Sequence, residues 1–235
     1  MCNKYLSNPN EVDPVASDPV HAVGIGPGAP SFRTRRVEAR LADADAVVGF
    51  ESVIDRVRDV AGGDLLSCGY DDEADTLGTF ADRVAAGAAG ASVHMGDPAF
   101  SGYAFLRKVE DAVDRPVRVV PGISAVQVAA NRARTPMEAS TFVTLHRRGD
   151  LDADLARLAR DAGERHLLVI PRPGDWPPPR IADRLLGAGA DPALDATVFE
   201  RLTHDDEATA GTTLGDLAGT DGFSDLSILV VRGAP

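Results

Sequence analysis

Short apolar runs alternate with longer amphipathic stretches along most of the chain, and this alternation restricts the fold more than any other feature. The runs lie at residues 21–25, 44–48, 92–95, 117–120, 141–145, 166–170, 196–199 and 226–231. Between them the spacing of apolar positions predicts helices over 31–42, 73–86, 103–113, 124–132, 151–162 and 178–187. Strand–helix alternation of this kind gives α/β architecture with mainly parallel sheets. The segment 167–170, Leu-Leu-Val-Ile, is apolar throughout, as expected of a strand covered by helices on both sheet faces.

A chain of 235 residues accommodates two such domains. Thr135-Pro136 breaks the helical pattern just before a new strand, which places a boundary within 134–139. The expected organisation is a flexible leader over 1–18, an N-terminal α/β domain over 19–136 and a C-terminal α/β domain over 137–235. The run Pro171-Arg172-Pro173-Gly174-Asp175-Trp176-Pro177-Pro178-Pro179 reads as a stiff strand-to-helix loop whose prolines open the next helix.

Charge excludes some functions. Lys+Arg 24 against Asp+Glu 36 leaves a net charge of −12, a field that repels nucleic acid. Lys4 and Lys108 are the only lysines, and the remaining 22 basic residues are arginine. An acidic surface with arginine in place of lysine suits solubility in high salt, so a halophilic protein is expected. Cys2 and Cys68 form no CxxC pair and suggest no disulfide framework. His21, His94, His146, His166 and His204 show no metal-ligand spacing, so no metal is expected. No apolar run approaches the ~20 residues of a membrane span, and the polar start carries no signal-peptide core. A cytoplasmic protein follows.

Three glycine loops, each after a strand and before a helix, carry the candidate chemistry. The first, Gly24-Ile25-Gly26-Pro27-Gly28-Ala29-Pro30, formally fits the dinucleotide fingerprint G-x-G-x-x-G/A. A phosphate cradle works by presenting backbone N–H groups. Pro27 and Pro30 each delete one. The second is Met95-Gly96-Asp97-Pro98-Ala99-Phe100-Ser101-Gly102, in which Asp97 can bond its own loop or cap the helix. The third is Pro121-Gly122-Ile123-Ser124-Ala125, with Ser124 as an N-cap. Each reads alone as an ordinary turn. In an open parallel sheet, however, all three fall on the edge where ligands bind.

Taken together, the sequence resembles the tetrapyrrole (corrin/porphyrin) methylases, the class III S-adenosylmethionine (SAM) methyltransferases. The resemblance runs from Val20 to Arg232. It rests on Val23-Gly24-Ile25-Gly26-Pro27-Gly28, on Gly96-Asp97-Pro98 with Ser101-Gly102, and on Pro121-Gly122-Ile123-Ser124-Ala125-Val126-Gln127. It is most similar to the cobalt-precorrin-7 (C5)-methyltransferase branch. The carriers there are Gly122–Ala130, Leu145-His146, Glu200-Arg201-Leu202-Thr203 with Asp206-Glu207, and Phe223-Ser224-Asp225-Leu226-Ser227.

The resemblance implies two α/β domains with SAM in the cleft between them, a homodimer, and C5 methylation of a cobalt-precorrin in cobalamin biosynthesis. Some relatives carry a fused C15-methylating, decarboxylating domain, so a separate C15-methyltransferase partner is expected here. Carried over by motif, SAM binding falls to Gly96, Asp97, Pro98, Ser101, Ser124 and Ala125, with Pro171, Arg201, Leu202, Asp225 and Leu226. The tetrapyrrole pocket falls to Gly26, Pro27 and Gly28. The substrate carries many carboxylates, which arginine grips at two points. Arg147 and Arg148 are the expected partners, with Arg33, Arg35, Arg36 and Arg172 as further candidates or solvated surface groups. Methyl transfer from a sulfonium needs chiefly alignment, and any proton removal would fall to His146 or Asp97. The alternatives are methylation at another ring carbon, a diphthine-synthase-like methylase, a nicotinamide-dependent oxidoreductase built on the first loop, and a non-catalytic metabolite-binding module.

Overall fold

A computed structural model of the chain describes residues 18–100 and 102–233. The expected leader therefore lies outside the described residues except for Asp18, as does Ser101.

The first sheet holds five parallel strands in the order β3-β2-β4-β1-β5. These are β1 (Val20–Gly24), β2 (Ala46–Phe50), β3 (Asp64–Cys68), β4 (Gly90–His94) and β5 (Val117–Val120). β4 is buried along its whole length, which explains its run of small and apolar residues. Four helices accompany this part of the chain: α1 (Arg35–Ala42), α2 (Glu51–Ile54), α3 (Glu73–Ala85) and α4 (Tyr103–Ala112). Leu77, Phe80 and Val84 of α3 and Phe105 and Val109 of α4 pack with Val20, Ala46, Val48 and Cys68 as one core.

The second sheet has the order β6-β7-β10-β8-β9. Its strands are β6 (Ser140–Thr144), β7 (His166–Ile170), β8 (Asp195–Glu200), β9 (Ala208–Thr213) and β10 (Ser227–Val231). β6 and β7 run parallel, and the other three pairings are antiparallel. Mainly parallel pairing therefore describes the first sheet and not the second. The reason is the link between β8 and β9. A parallel return needs a crossover of about a dozen residues or more, and the segment 201–207 is too short to supply one.

The helices here are α5 (Ala125–Ala133), α6 (Asp152–Asp161), α7 (Pro178–Gly187) and α8 (Leu214–Ala218). Alternation along the strands sorts the side chains onto two faces. Val143, Leu167, Val169, Val198 and Leu229 pack on one face with Leu155, Leu158, Ile181, Leu185 and Leu217. Leu168, Ile170, Phe199, Ile228 and Val230 turn to the other face and meet α5 through Val126, Ala129 and Ala130.

The expected helix over 31–42 starts later. A 3₁₀ turn occupies Pro30–Phe32, Arg33 is extended, and Thr34 accepts from the Val37 N–H at 3.3 Å as the cap of α1. At its far end α5 closes on Arg134 in the left-handed conformation, with the Thr135 N–H donating back to the Ala130 carbonyl at 2.9 Å.

The chain forms two compact units, neither continuous in sequence. One comprises the described residues up to Val23 with Glu38–Val93 and Ala104–Val120. The other gathers Gly24–Val37, His94–Tyr103 and the chain from Pro121 onward. All three glycine loops thus belong to the unit built on the second sheet.

Candidate active site

The three loops follow β1, β4 and β5, which are neighbours in the first sheet. Within their own unit they meet backbone to backbone. The amides of Gly26 and Gly96 exchange hydrogen bonds, Gly26 N–H to the Gly96 carbonyl at 3.2 Å and Gly96 N–H to the Gly26 carbonyl at 2.8 Å. Both residues have positive φ, 87° and 65°. Gly24 and Gly122 pack on the same point. A β-carbon at Gly24 would lie 2.5 Å from the Gly96 oxygen and 2.7 Å from the Gly122 nitrogen. One at Gly122 would strike the carbonyl oxygens of Gly96 and Gly24. Glycine is demanded here by close backbone approach rather than by turn chemistry alone.

Asp97 is buried and ties two of the loops together. One carboxylate oxygen accepts from the Ala99 N–H at 2.8 Å and the other from the Gly122 N–H at 3.1 Å. Ser124 caps α5 in a reciprocal box. Its hydroxyl accepts from the Val126 N–H at 3.2 Å, and its own N–H donates to the Gln127 side chain at 2.8 Å. Asp97 and Ser124 therefore shape the loops. His94, at the end of β4, is buried, and desolvation pushes its pKa down to about 4 against a hydrogen bond with the Gly102 backbone.

The first loop leans on the segment after β8. The Ala29 N–H donates to the Thr203 hydroxyl at 3.0 Å, and the His204 ring lies where a Gly28 β-carbon would sit, 2.5 Å away. Arg201 and Thr203 both hold left-handed backbones, φ 48° and 70°, a sparsely populated state for such residues. The Arg201 N–H donates to the Leu226 carbonyl at 2.8 Å, which brings together two expected pairs, Arg201-Leu202 and Asp225-Leu226. Leu202 is buried in the apolar cluster that also holds Ile123 and Ala125.

His146 lies on the surface just past β6. Its pKa is lowered, first by partial burial, while Asp225 opposes the shift. The imidazole is therefore neutral near pH 7. Pro171 is buried at the end of β7, where the Leu145 N–H donates to the Ile170 carbonyl at 2.8 Å. Arg147 is committed locally. It forms an ion pair with Asp154, and its guanidinium donates to the Asp150 carbonyl at 2.8 Å. Arg172 spans two loops, donating to the Arg147 carbonyl at 3.2 Å and pairing with Asp175 at 3.0 Å. Arg148 is exposed.

Thr203 and Glu207 belong to the tail that carries the sequence resemblance, but their contacts with Ala29 and with each other emerge only in the structure. A left-handed threonine leaves no trace in composition or periodicity. Among the described residues, the side-chain polar atoms buried without a hydrogen-bond partner include the hydroxyls of Thr144 and Ser227. Thr144 ends β6, two residues before His146, and supplies an orphaned polar group of the kind a bound ligand satisfies. Among the described residues no group of three His, Cys, Asp or Glu side chains is placed to hold a metal ion. No helix among them is long and apolar enough to cross a membrane.

Three loops of one unit thus meet at Gly24, Gly96 and Gly122, in an α/β chain that holds one parallel and one mixed five-stranded sheet. Residues 19–218 match the family model of the tetrapyrrole (corrin/porphyrin) methylases, and the chain belongs to that family. It is 25% identical over 222 residues to a probable cobalt-precorrin-7 C(5)-methyltransferase of Methanocaldococcus jannaschii, covering 91% of this chain and 98% of the relative. It is 24% identical over 208 residues to a cobalt-precorrin-4 C(11)-methyltransferase of Priestia megaterium, covering 84% and 80%. Its fold is similar to that of a uroporphyrin-III C-methyltransferase of Thermus thermophilus complexed with S-adenosylhomocysteine, with a TM-score of 0.71, 22% identity and 92% of each chain covered.

Proposed function

We propose that the protein is a SAM-dependent C-methyltransferase that methylates C5 of a cobalt-precorrin in cobalamin biosynthesis. The observation that carries this reading is the junction of Gly24, Gly96 and Gly122, where three loops of a tetrapyrrole methylase meet with no room for a side chain at Gly24 or Gly122 and a positive φ at Gly96. Position C5 follows the Methanocaldococcus jannaschii relative, which spans nearly the whole chain.

In this reading SAM is held by the two loops that carry Gly96, Asp97 and Pro98 and Ser124 and Ala125, with Pro171, Arg201-Leu202 and Asp225-Leu226 completing the site. The orphaned Thr144 hydroxyl fits such a ligand. When bound, SAM supplies a methyl group already activated on a sulfonium. The residues of the chain then have three tasks: alignment, exclusion of water and acceptance of one proton. Alignment is the largest, since positioning alone supplies on the order of 7–11 kcal/mol of barrier lowering. It falls to loops that Asp97 and the Ser124 cap hold still. His146, neutral at its Nδ1 or Nε2, takes up the proton that leaves the methylated carbon, and Asp225 stabilises the imidazolium that results. Gly26, Pro27 and Gly28 border the macrocycle. Arg148 grips a substrate carboxylate, and Arg147 supports that loop through Asp154.

The nicotinamide reading loses its donors. Pro27 and Pro30 have no N–H, the Gly26 N–H is used by Gly96, and the Ala29 N–H by Thr203. Calorimetric titration with SAM and with NAD separates the two readings: SAM binds and NAD does not, and the reverse outcome ends the proposal. Mass and NMR analysis of the product from a defined cobalt-precorrin with labelled SAM reads the ring carbon. A new methyl at C11 instead of C5 would align the protein with the Priestia megaterium relative. The same reading takes the protein as a cytoplasmic homodimer with a separate C15-methylating partner, and light scattering of the purified chain reads the first of these.

A further inference from the structure

We propose that Glu207 and Thr203 form a two-way clamp, a pair of positioning residues that sets the first glycine loop against the last turn of α5. The proposal rests on the SAM-binding reading above for what the two sides hold, and on hydrogen bonds alone for the clamp itself.

The geometry begins at Glu207, which follows the turn after β8 and keeps a side chain 20% exposed. One carboxylate oxygen accepts from the Thr203 N–H at 2.6 Å. The other forms an ion pair with Arg132, in the last turn of α5. Thr203, held left-handed, turns its hydroxyl to the Ala29 N–H at 3.0 Å. A single carboxylate thus reaches the first glycine loop through Thr203 and, through Arg132, the last turn of α5, the helix that Ser124 caps at its other end.

The turn that carries the clamp is itself braced. The Arg201 guanidinium pairs with Asp206 at 2.6 Å, the His204 N–H donates to the Arg201 carbonyl at 3.0 Å, and the Glu207 N–H donates to the His204 carbonyl at 3.1 Å. Backbone strain at Arg201 and Thr203 persists only where the surroundings over-determine it. Glu207 is the group that does so for Thr203. Neither residue is placed to touch the reacting atoms, and both act through what they hold.

The clamp has a divided signature. Thr203→Ala removes the acceptor for the Ala29 N–H and leaves Glu207 with Arg132. It should raise KM for the cobalt-precorrin about tenfold while the calorimetric Kd for SAM stays within about twofold, because misplacing one loop penalises one ligand. Thr203→Ser keeps the hydroxyl and should restore KM. Glu207→Ala frees both sides and should raise both constants about tenfold. Glu207→Gln still offers an oxygen to the Thr203 N–H and should recover the precorrin KM.

NMR-detected amide exchange gives a readout independent of turnover. The Ala29 amide should lose protection in Thr203→Ala, and the Ala29 and Thr203 amides together in Glu207→Ala. Unchanged Ala29 exchange with both binding constants at wild-type values overturns the clamp. A wild-type protein that fails to bind SAM overturns the functional reading instead, and the exchange data still decide the clamp.

Discussion

At the scale of single residues, the glycines separate into two kinds that composition does not distinguish. Gly24 and Gly122 sit where a β-carbon has no space, whereas Gly78, exposed in the middle of α3, has nothing within 4 Å of such a carbon. The consequences have opposite signs. Gly24→Ala must push apart two backbones that cannot yield, and overpacking of this kind costs about 1–3 kcal/mol. It should also abolish SAM binding in calorimetry, since the displaced groups belong to the proposed site. Gly78→Ala removes backbone freedom from the unfolded chain and should stabilise by roughly 0.5–1 kcal/mol. Urea unfolding of the two variants checks both signs, and a destabilised Gly78→Ala would show that α3 is not regular there.

At the scale of elements, the caps decide where helices begin. The Ser124 box holds two of the unsatisfied N–H groups at the start of α5, so Ser124→Ala should cost about 0.5–2 kcal/mol in urea unfolding. Because α5 starts at the proposed site, the same change should weaken SAM binding, whereas a change in the cap of α8 at Thr213 should cost stability alone. The caps also explain what the sequence made legible. Long periodic helices and apolar central strands such as β7 and β10 were readable because burial writes its period into them. β3 and β9 were not. β9 is Ala-Thr-Ala-Gly-Thr-Thr at a sheet edge, half-exposed and without an apolar run. Missing it hid the β8–β9 hairpin and with it the antiparallel character of the second sheet. α2 and α8 are too short to show any period. The three glycine loops were legible as motifs, and their order matched a family. Their contact with 201–207 was not, because it depends on left-handed Thr203 and on side chains far apart in sequence.

At the scale of the whole molecule, charge and partly desolvated histidines set the response to solvent. Burial lowers the pKa of His94 to about 4 and also lowers those of His146 and His166, the last beside Arg232 and Arg165. Each folded pKa lies below its unfolded value near 6.5, so the unfolded chain binds more protons as the pH falls. The stability from these groups is complete above about pH 6.5 and declines below it, with His94 still contributing to the decline near pH 4. Urea midpoints at pH 7.5 and 5 should therefore differ, the lower pH being less stable, and His94→Gln should reduce the difference. The net charge of −12 acts separately. Added salt screens the repulsion among surface acids, so the melting temperature should rise between about 0.1 M and 2 M NaCl. A fall would mean that the exposed ion pairs outweigh that repulsion.

The unit that carries the glycine loops is stitched from separate stretches of the polypeptide, and this orders events during synthesis. Gly28 and Ala29 leave the ribosome early, yet their partners Thr203 and His204 come more than a hundred residues later. A nascent chain with its first sheet paired would still carry an unseated loop, waiting for distal sequence to arrive. Fragments cut near the middle should accordingly seat that loop only when both pieces are supplied together.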